Sequence, residues 1–276
     1  MANRFTRRQF LVSSGLVGLA LTSPHLFANL TSNPASSPIT RKIPGTDEVI
    51  PSIGMGTWIA FNVGGDTQLV EQRTRVLKTF FDQGGTVVDG SPMYGSASDV
   101  VGEALDALDA HDRVFAATKI WTGDESETRQ EAARSRRRWG VERFDLLQVH
   151  NLLGWQGHLE TLRQMKAGGE VRYIGITTSH GRRHREFEQI MKREPLDFVQ
   201  LTYNVLDREV EGRLLPLAAE RGIGALYGAL PNPEQRRRMA VGLMAVAWAG
   251  SGYGVLVGYF SPINWPAAWF GWAFVA

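Results

Sequence analysis

From Val49 to Ala229, short apolar runs alternate with amphipathic segments, and this alternation constrains the fold more than any other feature. VIPSIGMG opens the series as a strand segment. Arg73 to Gln83 then carries apolar residues at helical spacing and stops at Gly84–Gly85. TVVD reads as a strand, and ASDVVGEALDALD as a helix with Val100, Val101, Leu105 and Leu108 on one side. RVFAATKI, FDLLQVH, VRYIGITT, DFVQLTYN and IGALYGAL continue the strands. TRQEAARSRRRWG, GHLETLRQMKAGG, HREFEQIMKRE and VEGRLLPLAAERG supply the helices between them. Apolar strands alternating with amphipathic helices imply parallel strands buried on both faces. An open doubly wound sheet and a closed barrel both satisfy this pattern. The open dinucleotide-binding sheet normally carries a G-x-G-x-x-G turn after a strand, and the body of this chain has none. Polar residues at several successive strand ends suit a barrel mouth. The expected fold is therefore α/β, a (β/α)8 TIM-type barrel.

Four of those polar residues stand out. Asp89 and Tyr94 lie in VVDGSPMYGSA, Lys119 ends ATK, and His150 ends DLLQVH. Each alone has an ordinary structural reading: Asp as a turn or helix cap, Tyr as packing, Lys as a snorkelling chain, His as a buried structural group. Together, in this order, they provide what reduction of a carbonyl requires. An acid must protonate the oxygen while a hydride reaches the carbon, in a polar surround that stabilises the growing charge. A phenol can give that proton, a nearby ammonium favours the phenolate, a carboxylate holds the ammonium, and a neutral imidazole can bond the oxygen. Lys119 and His150 sit on the two strands after Asp89, so in a barrel the groups are neighbours.

At these residues the chain resembles the aldo-keto reductase family, over roughly residues 45–230: GMGTW, VVDGSPMYG, ATK, DLLQVHN, YIGITTS and VQLTYN carry the likeness. The resemblance implies a barrel that uses NADPH, with NADH as the alternative donor, and no metal, acting on a small carbonyl substrate. It places Tyr94 as the acid, Lys119 and Asp89 as its tuning pair, and His150 as the group orienting the carbonyl. It places Thr177, Thr178 and Gln200 on the nicotinamide carboxamide, Tyr227 against the nicotinamide ring, and Gly56, Thr57 and Trp58 beside the ribose and substrate. Trp58 and Trp121 would line the substrate mouth. Thr177–Thr178 stand where the family commonly has Ser-Asn, which keeps hydroxyls and loses an amide. The ending departs further. GALPNPEQRRRM follows the seventh strand almost at once, so the barrel is expected to be incomplete there and to lack the loop that grips the adenosine phosphate. The alternative reading is a non-catalytic or degenerate barrel with impaired cofactor binding.

Outside the body, TRRQFL followed by an uncharged run from Leu11 to Ala28 resembles a twin-arginine export signal. The organisation expected is a signal segment over 1–30, a linker over 31–44, the barrel over 45–238 and an uncharged apolar tail over 239–276. The implied partner is the twin-arginine machinery and the implied location is periplasmic. The tail has four of the eight tryptophans and three readings. It is a membrane contact through Met239–Phe260, a replacement for lost barrel elements with GVLVGYF as a strand, or a segment with no native partner. A net charge of +2 provides no strong field for nucleic acid. Arg136–Arg138 reads as a solvated helix face. The chain has no cysteine, which excludes disulfides, thiolate catalysis and cysteine-based metal sites. His111, His158, His180 and His184 lie among polar helix or loop residues without ligand spacing, so no metal site is expected.

Overall fold

The computed structural model describes residues 38–179, 181–204, 207–228 and 271–275. The signal reading of 1–30, the segment GALPNPEQRRRM from Ala229 onward, Arg236–Arg238 and GVLVGYF lie outside them. Among the described residues no helix is long and apolar enough to cross a membrane.

A two-stranded hairpin comes first, β1 (Thr40–Lys42) pairing antiparallel with β2 (Val49–Pro51). The sequence reading assigns residues 40–42 to a linker; they are instead a strand whose three residues are all exposed. Seven parallel strands follow in sequential order: β3 (Ile53–Gly56), β4 (Val87–Asp89), β5 (Phe115–Ile120), β6 (Phe144–Val149), β7 (Val171–Thr177), β8 (Phe198–Thr202) and β9 (Gly224–Gly228). A short helix α1 (Trp58–Phe61) and a long one α2 (Thr67–Asp82) separate β3 from β4. The later connections carry α3 (Ala97–Leu108), α4 (Thr128–Trp139), α5 (Trp155–Ala167), α6 (His184–Arg193) and α7 (Leu214–Arg221). The expected parallel α/β cylinder is present through its seventh strand. The eighth place differs. β10 (Gly271–Val275) lies between β9 and β3 and runs antiparallel to both, closing the barrel. Of the three readings of the tail, the one that fills the barrel describes these five residues, Gly271–Val275.

The period of two along each strand sorts the core into two shells. Val88, Ala116, Leu147, Val149, Ile174, Ile176, Val199 and Leu201 face the helices and join their apolar stripes. Val87, Phe115, Leu146, Tyr173, Phe198 and Leu226 form a separate cluster inside the cylinder. Ile43 and Ile50 of the hairpin segment join that inner cluster and so cover its lower end. Glu48 fastens the cover: it accepts a bond from Tyr173 Oη at 2.6 Å and pairs with Arg172, which also reaches Asp145 at 2.5 Å. With the floor apolar and sealed, the polar chemistry is confined to the other end.

The outer shell depends on one close approach. A methyl group on Gly102 of α3 would sit 1.8 Å from the carbonyl oxygen of Arg138 in α4. Neither backbone can yield without moving a whole helix. Gly102→Ala is expected to cost ~3 kcal/mol, at the upper end of overpacking penalties. Chemical denaturation measures it, and an unchanged midpoint would show that the two helices are not locked at this point.

Candidate active site

Continuing the inner rows toward the C-terminal ends of the strands changes their chemistry. Val87 leads to Asp89, Phe115 through Ala117 to Lys119, Leu146 through Gln148 to His150, Tyr173 through Gly175 to Thr177, and Phe198 to Gln200. Asp89, Lys119, Gln148, His150, Thr177 and Gln200 are all buried, each no more than 5% exposed. Gly175 makes room in this layer, since a Cβ there would meet the Phe198 carbonyl oxygen at 2.4 Å.

Lys119 and Asp89 form the centre of the layer. The ammonium donates to Asp89 Oδ1 at 2.8 Å, to Oδ2 at 2.7 Å and to the Gly90 carbonyl at 2.7 Å, which uses all three of its hydrogens. Burial disfavours the charge on Lys119, but the Asp89 carboxylate and Tyr94 together more than offset it and raise its pKa above the ordinary value. Asp89 is held from the backbone side as well. Both the N–H and the hydroxyl of Thr57 donate to its carbonyl at 3.0 Å.

Tyr94 lies on the loop after β4, half-buried, with its ring centroid 5.3 Å from Lys119 Nζ. His150 meets that ring edge-on, the centroids 6.1 Å apart and the planes at 88°. Trp58 packs at a tilt on Tyr94, 6.4 Å between centroids, and is 48% exposed at the mouth. The four residues singled out in the sequence are thus brought together around one position. The electrostatics differ from the simple expectation for a phenol beside an ammonium. Burial raises the Tyr94 pKa, Lys119 only partly counters it, and Asp89 adds to the rise. His150 moves the other way. Burial, with Lys119 nearby, lowers its pKa to about 3, so it is neutral over the physiological range.

The remaining assignments sort by position. Gly56 ends β3 directly below Thr57. Asn151 N–H donates to Thr177 Oγ1 at 2.9 Å, and Thr178 Oγ1 donates to the Arg182 carbonyl at 2.5 Å. The two hydroxyls are therefore left in opposite states: Thr177 retains a hydrogen to give, and Thr178 retains lone pairs to receive. That donor set fits a carboxamide, which needs one of each. Gln200 is engaged at both ends, its Nε2 donating to Asp89 Oδ2 at 3.2 Å and its Oε1 accepting from Gln148 Nε2 at 3.3 Å. Because a carboxylate only accepts, Asp89 sets the direction of both amides, and Gln148 Oε1 ends the chain without a partner among the described residues. Tyr227 stands apart from the inner rows. It belongs to the strand–helix shell and packs on Tyr203, 5.1 Å between centroids, where burial raises its pKa to about 12.

Trp121 is 45% exposed beside the mouth, and its loop is anchored from below. Glu131 of α4 accepts the Trp121 N–H at 2.7 Å, and His158 of α5 bonds the Thr122 carbonyl at 2.9 Å and Thr128 Oγ1 at 2.7 Å. His158 is completely buried, contrary to its reading as one of several histidines among polar residues. His111 and His184 pair instead with Asp106 and Glu209, and His180 lies outside the described residues. Two further site residues escaped the sequence reading. Gln148 shares the face of His150 two residues away, so strand periodicity could have found it. Ser91, which bonds His150 Nδ1 at 2.9 Å, is two residues past Asp89, but in a loop where periodicity gives no signal.

The lowered His150 pKa makes a stability prediction. In the unfolded chain histidine takes a proton near 6.5, and in the fold only near pH 3, so the unfolded state binds more protons between these values. The stability from neutral His150 is complete above about pH 6.5 and is lost as pH falls toward about 3. Over that window it is on the order of 4 kcal/mol. Subtracting the pH–stability curve of His150→Gln from that of the parent is expected to leave this acid limb. A flat difference would mean that His150 is accessible to protons.

Comparison with known proteins shows the family of the chain. The sequence profile of the Aldo/keto reductase family matches residues 52–230. Aldo-keto reductase YhdN of Bacillus subtilis (strain 168) is 29% identical over 197 residues, covering 64% of this chain and 58% of that protein. The NADH-specific methylglyoxal reductase of Escherichia coli (strain K12) is 28% identical over 225 residues, covering 66% of this chain and 65% of its own. This chain thus spans less than two thirds of either curated relative. Among solved structures, the aldo/keto reductase from Klebsiella pneumoniae in complex with NADP and acetate is similar, with a TM-score of 0.56 at 26% identity. The alignment covers 66% of this chain and 65% of that one. A family match over most of the barrel, on a cylinder whose mouth gathers Asp89, Tyr94, Lys119 and His150, establishes that this chain belongs to the aldo/keto reductase family.

Proposed function

We propose that the protein reduces an aldehyde or ketone to an alcohol, with Tyr94 as proton donor and NADPH, or alternatively NADH, as hydride source. The observation that carries this reading is the buried Asp89–Lys119 pair under the Tyr94 ring, with a neutral imidazole at the ring edge. When bound, the nicotinamide supplies a hydride to the carbonyl carbon. Every other part of the reaction falls to side chains. His150, held neutral, can donate a hydrogen bond to the carbonyl oxygen without competing as an acid. Tyr94 gives its proton to that oxygen as negative charge develops. Lys119 then stabilises the phenolate, and Asp89 fixes Lys119 in place. Because the Tyr94 pKa is raised, the phenol is protonated at neutral pH and ready for the reductive direction.

Thr177 and Thr178 would hold the carboxamide through their complementary hydroxyls, with Gln200 beside them. Gly56, Thr57, Trp58 and Tyr227 remain the family-derived candidates for the rest of the cofactor. The mouth supports an apolar substrate end, since Trp58 and Ile59 of α1 and Met93, Trp121 and Leu153 on the later loops are all exposed on connections after successive strands. No charged group is among these five.

Tyr94→Phe keeps the ring and removes the acid. It is expected to lower kcat by about 10²–10⁴ while leaving cofactor binding intact. Binding is measured separately, as the rise in melting temperature with added NADPH or NADH. Normal turnover in the variant would remove Tyr94 from the mechanism. No thermal shift with either nucleotide would favour the non-catalytic barrel.

We further propose that the chain is exported by the twin-arginine route, on the strength of Arg7–Arg8 and the uncharged run after them. Replacing both arginines with lysine is expected to retain the protein in the cytoplasm. Fractionation checks this, and unaltered export would refute it.

A further inference from the structure

Ser91 takes no part in the reaction set out above, yet it is completely buried against the histidine. Its Oγ lies 2.9 Å from His150 Nδ1 and accepts the Met93 N–H at 3.2 Å. A hydroxyl has a single hydrogen. With Oγ already receiving Met93 N–H, the hydrogen bonds around Ser91 offer that hydrogen one acceptor among the described residues, His150 Nδ1. The reverse arrangement, with Nδ1–H donating to Ser91, would leave the serine hydrogen buried and unbonded, which folded proteins avoid. We propose that Ser91 is a positioning residue that fixes His150 as the tautomer protonated on Nε2, so that the nitrogen facing the carbonyl oxygen is a donor.

Three further observations support the assignment. The charged imidazolium, which would make the tautomer irrelevant, is suppressed by burial and by Lys119. Nε2 has no protein partner among the described residues, so its hydrogen is free for a ligand. The turn that carries His150 is itself held. Asn151 and Leu152 have φ of 53° and 57°, and Arg183 donates to the Leu152 carbonyl at 2.9 Å. Backbone and side chain therefore both restrain the ring, and Ser91 alone touches its far nitrogen through a hydrogen bond.

This role rests on the proposed carbonyl reduction, but its test does not require turnover. In full-length protein labelled with 15N-histidine, the His150 signals are identified by their loss in His150→Gln. In the parent, Nδ1 is expected to be unprotonated and Nε2 protonated. In Ser91→Ala, which only removes an atom from the core, both tautomers are expected to be populated. Turnover of a test aldehyde should fall about tenfold in kcat with KM little changed, less than the ~10²–10³ that deleting a donor outright costs. Ser91→Thr, which retains the hydroxyl, is expected to restore the single tautomer and the rate. A parent enzyme protonated on Nδ1, or a Ser91→Ala spectrum identical to the parent, would overturn the proposal. If the parent reduces no carbonyl at all, the reading of the reaction falls, and the spectra still decide what Ser91 does.

Discussion

The site depends on a charge pair enclosed in a cylinder of parallel strands. Bringing an ammonium and a carboxylate out of water is expensive, and their attraction compensates only when the remaining hydrogens and lone pairs also find partners. Here they do. Lys119 spends its three hydrogens on Asp89 and the Gly90 carbonyl, and the Asp89 carboxylate takes a third bond from Gln200. Removing either charge would strand the other in a layer that is almost closed to solvent. The pair is therefore structural and chemical at once: what keeps the barrel top folded also keeps a positive charge under Tyr94. The apolar floor makes this tolerable, because Val87, Phe115, Leu146, Tyr173 and Phe198 form their own cluster below the polar layer.

Most of this was legible in the sequence, for a specific reason. Parallel strands buried on both faces read as plain apolar runs, so a polar residue interrupting one is conspicuous, and Asp89, Lys119 and His150 each do so. Tyr94 was legible only through its company. What escaped shows where that signal fails. Gln148 interrupts its strand as plainly as His150 does, but an uncharged amide suggests no chemistry until Asp89 is seen to orient it. Ser91 is small and in a loop, where no periodicity separates a buried hydroxyl from an exposed one. His158 was misplaced because its helix neighbours are polar, although its own face of α5 packs with Leu159, Leu162 and Met165. Thr40–Lys42 looks like a linker because only its backbone does structural work.

The ending shows how a barrel interrupted after its seventh strand can still be closed. Open edges on β3 and β9 would leave two rows of unpaired backbone groups beside the site. β10 pairs with both, Trp272 facing Gly228 on one side and Gly54 on the other. A parallel strand would need a crossover to enter in that direction; an antiparallel one arrives from the opposite end. Strand direction is invisible to residue pattern, so the seven-strand count was readable and the orientation of the closing strand was not. Closure bears on the site because Gly56, at the end of β3, is directly followed by Thr57, whose two hydrogen bonds support Asp89.

The opposed shifts of Tyr94 and His150 follow from the same enclosure. Burial disfavours whichever form carries charge, so it raises the phenol and lowers the imidazole. Both groups are thereby neutral at rest, one holding a proton it can give and the other unable to take one. A more open site would bring the two pKa values closer together and, in the proposed reduction, let the histidine compete for the proton meant for the substrate. Lys119 cannot by itself make the phenol acidic in the resting barrel. In the proposed reduction it would matter more as charge builds on the oxygens in front of it, when the same low dielectric that penalised the phenolate strengthens its attraction to the ammonium. In the proposed reduction, the enclosure would thus oppose early loss of the proton and favour its transfer once a carbonyl oxygen is in place to receive it.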